Sequence, residues 1–171
     1  MQGTSGDVFS EYLVKSKLTG KNYAIIAVTA AVAVILSAFI FAFVPSLVMI
    51  AVLLWAGLYF VIKMQKTEYE YIFTSGDLDI DQLSGDFKRK RKASVKAETI
   101  EIIAHEKSDA LASFAHGTYK VYDFSRHDKT SKNRYVIVAM VKNEKSKIIF
   151  EPNEKMVDNM WKYFPSKVKR A

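Results

Sequence analysis

Polar and apolar positions divide the chain into two textures. From Asn22 to Ile62 the residues are apolar or uncharged without a break, since no Asp, Glu, Lys, Arg or His lies between Lys21 and Lys63. As a single helix rising about 1.5 Å per residue, this block would run roughly 60 Å, twice the ~30 Å of bilayer hydrocarbon. It has to fold back. Pro45-Ser46 near its middle supplies the break, because Pro stops one helix and suits the first turn of the next. The pattern predicts an N-terminal segment over residues 1–22, a transmembrane helix over 23–44, a second over 45–64, and a separate domain over 67–171.

Charge then sets the sidedness. Lys15, Lys17 and Lys21 precede the first helix, Lys63 and Lys66 follow the second, and the turn between them carries no charge. The positive-inside rule puts both termini and the domain in the cytoplasm. A cleaved signal peptide fits less well, because the first apolar run is longer than an ordinary signal core and a second follows it. A re-entrant hairpin would also leave both flanks on one side. Ala27, Ala31, Ala38 and Ala42 recur at helical spacing and are candidates for close helix approach, and Trp55, mid-helix, points to a protein-packed side chain.

After Thr67 the text changes to short alternating runs with turn punctuation, which predicts a mainly β domain. The strands are expected at Glu68–Thr74, Asp77–Gln82, Phe87–Val95, Glu98–Ala104, Tyr119–Phe124, Tyr135–Lys142 and Lys147–Glu151, with a short helix near Ser108–Phe114. Pro152-Asn153 then starts an amphipathic helix, Asn153–Phe164, whose Met156, Val157, Met160, Trp161 and Phe164 line one face. Trp161 is expected to be buried there.

Composition removes several classes. The chain has 171 residues, a net charge of +7 and no Cys, so disulfide frameworks, thiol nucleophiles and thiolate metal sites are excluded. The charge divides as +1 over residues 1–22 and +6 over 63–171. That modest excess suits an anionic inner membrane surface better than nucleic acid, which is not expected as a partner.

Seven strands in meander order closed by one helix bearing Trp161 resemble pleckstrin-homology-like (PH-like) domains. Two N-terminal membrane helices followed by Tyr69-Glu70-Tyr71, Gly76-Asp77-Leu78-Asp79-Ile80-Asp81 and the Lys88–Lys92 run resemble a family of bacterial two-pass membrane proteins with a PH-like cytoplasmic domain of unknown function. The resemblance implies a membrane α-hairpin followed by a seven-stranded β-sandwich or partly open barrel with a C-terminal capping helix. It implies a bacterial cell membrane location and brings no catalytic residue and no cofactor. Phosphoinositide-binding PH domains use basic residues around the first β-hairpin loop, but the corresponding turn, Thr74-Ser75-Gly76-Asp77, has no Lys or Arg.

The strongest local charge is Lys88-Arg89-Lys90-Arg91-Lys92, a candidate site for anionic lipid headgroups or another anionic ligand. A two-residue turn at Ser84-Gly85 would place Asp81 opposite Lys88, Asp79 opposite Lys90 and Asp77 opposite Lys92. The lysines would then be matched, with Arg89 and Arg91 left for a ligand; the competing reading is a charge-laddered hairpin alone. Asp77-x-Asp79-x-Asp81 is no EF-hand, because Gln82 stands where Gly is needed and Lys88 where an acid is needed. No metal site follows, and His105-Glu106, His116 and Ser125-Arg126-His127-Asp128 lack zinc spacing. The sequence thus predicts a membrane-anchored interaction or scaffolding module without catalytic activity. Its partners are the bilayer, anionic lipids, and a protein partner or second copy of the chain.

Overall fold

The computed structural model describes residues 8–85, 88–128 and 130–169. Strand β1 (Phe9–Lys15) comes first, then helix α1 (Gly20–Phe43), a 3-10 turn (Pro45–Leu47) and helix α2 (Val48–Gln65). Both helices are long and apolar enough to cross a membrane. At about 1.5 Å per residue, α1 reaches about 36 Å and α2 about 27 Å. They meet through Ala33, Ser37 and Ile40 of α1 and Ala51 and Leu58 of α2, all buried, while Ala27, Ala31, Ala38 and Ala42 are exposed. Trp55 is half exposed, yet its Nε1 donates to Ser37 Oγ at 3.2 Å, which gives the indole N–H a partner where water is scarce.

The β domain consists of two sheets. The first has the order β1-β2-β3-β4, with β2 (Thr67–Thr74), β3 (Asp77–Ser84) and β4 (Lys88–Val95). In β2 Tyr69, Tyr71 and Phe73 point inward, while on the opposite face Glu68, Ile72 and Thr74 are at least partly open to solvent and Glu70 is buried. The second sheet has the order β6-β8-β7-β5-β9, from β5 (Ile100–His105), β6 (Lys120–Asp123), β7 (Tyr135–Val141), β8 (Glu144–Phe150) and the two-residue β9 (Val168–Lys169). Ile103, Ile137, Ile148 and Phe150 pack from it onto Tyr71, Phe73, Leu78 and Ile80 of the first. Buried Tyr71 joins the layers by donating from its hydroxyl to the Phe124 carbonyl at 2.6 Å and accepting from the Glu151 N–H at 3.3 Å. Its phenol is held well above the usual tyrosine range, chiefly by burial.

All seven expected strands are present as β2 to β8; the start of the third at Phe87 lies outside the described residues. Two strands were not expected. Strand β9 is short and parallel to β5. Strand β1 belongs to the segment before the membrane helices, where no domain structure was expected, and it pairs antiparallel with β2 from Phe9↔Thr74 to Lys15↔Glu68. The first sheet therefore closes around the helical hairpin instead of starting after it at Thr67.

Helix α3 (Glu154–Tyr163) covers the core, and Asn153 Oδ1 caps it by accepting from the Met156 N–H at 2.9 Å. Met156, Val157 and Met160 are buried, but Trp161 is 42% exposed. The expected burial of Trp161 is corrected: on a ten-residue helix the core takes the stripe through Met156 and Met160, and position 161 lies round the side of it. The turn at Ser75-Gly76 has φ of 49° and 92°, and the Tyr163 ring crowds the space above Gly76, so a side chain is disfavoured there twice over.

Candidate functional site

Strand β4 carries the basic run, and its pairing differs from the expected one. The register is Ser84↔Lys88, Leu83↔Arg89, Gln82↔Lys90 and Asp81↔Arg91, then Ile80↔Ala93 and Asp79↔Ser94 beyond a bulge that leaves Lys92 without an opposite residue. Ser84 is still in the strand, so the chain does not turn at Ser84-Gly85. Moving the register by an odd number of residues exchanges the faces of every side chain. The arginines, not the lysines, therefore meet the carboxylates.

Arg91 donates from Nε to Asp81 at 2.8 Å and from Nη1 to Asp79 at 2.7 Å, while Arg89 donates from Nε to Asp81 at 2.7 Å and also pairs with Glu70. Asp81 is almost fully buried beneath the two guanidiniums. Hydrogen bonds from Arg91 and then Arg89 outweigh its burial and hold its carboxyl below the usual range. Glu70 moves the other way: burial first, then its hydrogen bond with Glu11, raises it despite Arg89. Asp77 is tied elsewhere, to Lys96 Nζ at 2.6 Å and to the Ala97 N–H at 2.9 Å. Lys88, Lys90 and Lys92 have no acidic partner among the described residues, and the first two are exposed.

The histidines are dispersed. His105 Nε2 is 2.8 Å from the Lys132 carbonyl, His116 is exposed, and His127 Nδ1 is 2.8 Å from Ser16 Oγ. The Ser16 hydroxyl also donates to the Lys17 carbonyl at 3.2 Å. The Ser16–His127 contact ties the end of β1 to the loop after β6. Among the described residues no group of three or more His, Asp or Glu is arranged to hold a metal ion.

The junction between helices and sheets was not legible beforehand. Ser16 N–H donates to the Thr67 carbonyl at 2.9 Å, Lys17 N–H to the Arg126 carbonyl at 2.8 Å, and Gly85 N–H to the Lys66 carbonyl at 3.1 Å. The last of these bonds sets Gly85, just past β3, against the end of α2. A cavity of about 390 Å³ opens there, lined by Tyr59, Ile62, Lys63 and Lys66 from the end of α2 with Lys15, Glu68 and Gly85 from the sheet. A second, of about 480 Å³, lies between the helix feet and includes Lys17, Lys21, Asn22, Gln65 and Tyr69.

Two packed sheets closed by a C-terminal helix, carried on a pair of apolar helices, define a PH-like membrane protein. The family model described as bacterial PH-like domain (DUF6106) matches residues 6–170, and the chain belongs to that family. No curated protein and no solved structure matches the chain.

Proposed function

We propose that the chain is a two-pass membrane protein whose cytoplasmic PH-like domain is a non-catalytic binding or scaffolding module fixed in orientation at the membrane surface. The observation that carries this reading is the pairing of β1 with β2 on either side of the helical hairpin. Strands that flank the two helices and hydrogen-bond to each other have to lie on one side of the bilayer. The flanking lysines Lys15, Lys17, Lys21, Lys63 and Lys66 favour the cytoplasmic side. A domain joined to the membrane at two points presents a constant face to whatever it binds. Affinity capture from native membranes tests this, comparing the full chain with one ending at Lys66. Partner proteins held by the full chain and lost with the domain are expected; identical captures would remove the scaffolding reading.

A second reading is anionic-lipid contact through the basic strand. It is favoured by the bond from Gly85 to Lys66, which brings the Lys88 end of β4 to the foot of α2. On this reading Lys88 and Lys90 lead, with Lys92 at the bulge, while Arg89 and Arg91 are largely engaged by Asp79, Asp81 and Glu70. Acetylation footprinting of the full chain in phosphatidylcholine nanodiscs, with and without phosphatidylglycerol, is the test. Salt-sensitive protection of Lys88 and Lys90 by phosphatidylglycerol is expected. Equal reactivity in both discs would dismiss the strand.

A further inference from the structure

We infer that the cavity at the foot of α2 is a binding site for the phosphate headgroup of an anionic glycerophospholipid, held by Lys15 and Lys66 with Lys63 beside them. The inference rests on the reading that α1 and α2 cross the bilayer. It concerns a site apart from the basic strand.

Its walls have two chemistries in the order a lipid needs. Tyr59 and Ile62, 63% and 37% exposed, lie on the α2 surface that runs up into the hydrocarbon. Lys63 and Lys66 follow them at the end of the helix, and Lys15 reaches the same space from the edge strand β1. A lipid laid along α2 thus has its acyl chain against Tyr59 and Ile62 and its phosphate among ammonium groups at the headgroup level. Glu68, the acidic residue among the described lining, is 3.8 Å from Lys15, a loose contact that leaves Lys15 largely exposed. Among the described lining residues Lys15 and Lys66 alone already outnumber Glu68, in a space of about 390 Å³ with room for a phosphate and its glycerol. The site also explains why β1 ends in a lysine facing the membrane junction, where Lys15 pairs across the sheet with Glu68 but opens onto the cavity. Lys63 stands in the last turn of α2 and Lys66 is its C-cap, so the site arises from the union of hairpin and sheet.

The test uses the full chain in a neutral detergent, titrated with phosphatidylglycerol or phosphatidylcholine and read by native mass spectrometry. The wild type is expected to retain phosphatidylglycerol preferentially as a one-to-one adduct. The K15Q/K66Q variant, altered only at exposed side chains, should lower that preference roughly tenfold to thirtyfold, whereas K155Q/K162Q, at exposed positions of α3, should keep the adduct. Equal retention of the two lipids, an undiminished preference in K15Q/K66Q, or an equal loss of the preference in K155Q/K162Q would overturn the site. Displacement of the lipid by millimolar glycerol phosphate would assign the lysines to a free phosphate and overturn the lipid source. The membrane crossing is checked separately by labelling Ser46→Cys from outside intact cells, which a cysteine-free chain permits. An unlabelled Ser46→Cys beside a retained lipid preference would overturn the crossing alone; a labelled one beside equal retention would overturn the site alone.

Discussion

Asn22 Nδ2, at the foot of α1, donates to both the backbone carbonyl and the side-chain Oε1 of Gln65 at the end of α2, each at 3.1 Å. The Thr19 hydroxyl in turn donates to Asn22 Oδ1, so one amide orients the chain entering the hairpin and the chain leaving it. Asn22→Ala removes both donations and is expected to lower stability by about 1–2 kcal/mol. Gln65→Ala spares the bond to the backbone and should cost less. A denaturant titration of the full chain in detergent, with the double variant to close the cycle, measures the coupling.

The Asp81 and Glu70 carboxyls, neighbours across β2 and β3, should respond oppositely to acid. Asp81 is held below its usual range, so its contribution is complete above the unfolded-state pKa of about 3.9 and disappears as pH falls through the folded value. Asp81→Asn is expected to cost about 1.5–3 kcal/mol near neutrality and to flatten acid unfolding. Glu70 is raised, and its protonated form is the better accommodated, so its contribution fades as pH rises. Glu70→Gln should therefore be tolerated at pH 7 far better than Asp81→Asn. Thermal unfolding from pH 3 to 8 distinguishes the two.

Met160 and the adjacent Trp161 separate core from rim on α3. Met160→Ala should cost about 2–5 kcal/mol, because it opens a cavity in the main core. Trp161→Ala, at a residue 42% exposed and leaving a space open to solvent, should cost about 2 kcal/mol, at the bottom of that range. Equal losses would mean that the indole carries packing comparable to the buried thioether.

A soluble form of the domain requires β1. The fragment 67–171 lacks Val14, which is fully buried, and leaves the β2 edge open, so it is expected to aggregate or unfold. Joining residues 8–17 to 66–169 through a short glycine-containing loop should yield a folded monomer, since Ser16 and Thr67 are already bonded at 2.9 Å. Circular dichroism and size-exclusion chromatography of the two proteins provide the comparison.

The membrane helices were legible because an uncharged block from Asn22 to Ile62 has few physical alternatives, and β2 to β8 because their alternation lies between clear turn signals. Strand β1 was not legible. Ser10, Tyr12 and Val14 alternate inward, but their partners are more than fifty residues away, and one isolated seven-residue alternation does not reveal what it pairs with. The basic strand was placed correctly and its pairing register was not. Five consecutive cations look alike by composition, and only the register and the bulge at Lys92 decide which of them face Asp79 and Asp81. The lysines around the foot of α2 were read for sidedness alone, because a cavity shared by β1 and α2 has no linear signature.

Synthesis order gives the β1–β2 pair a further meaning. The ribosome releases β1 first, and it then waits without its neighbour in the sheet until both helices have been made and β2 emerges. A chain whose hairpin inserts with a single crossing puts β1 and β2 in different compartments, and the first sheet never closes. Closure of the first sheet therefore demands that both ends of the hairpin lie on one side: only then are Val14 and Tyr71 buried together, and otherwise the β2 edge stays unpaired.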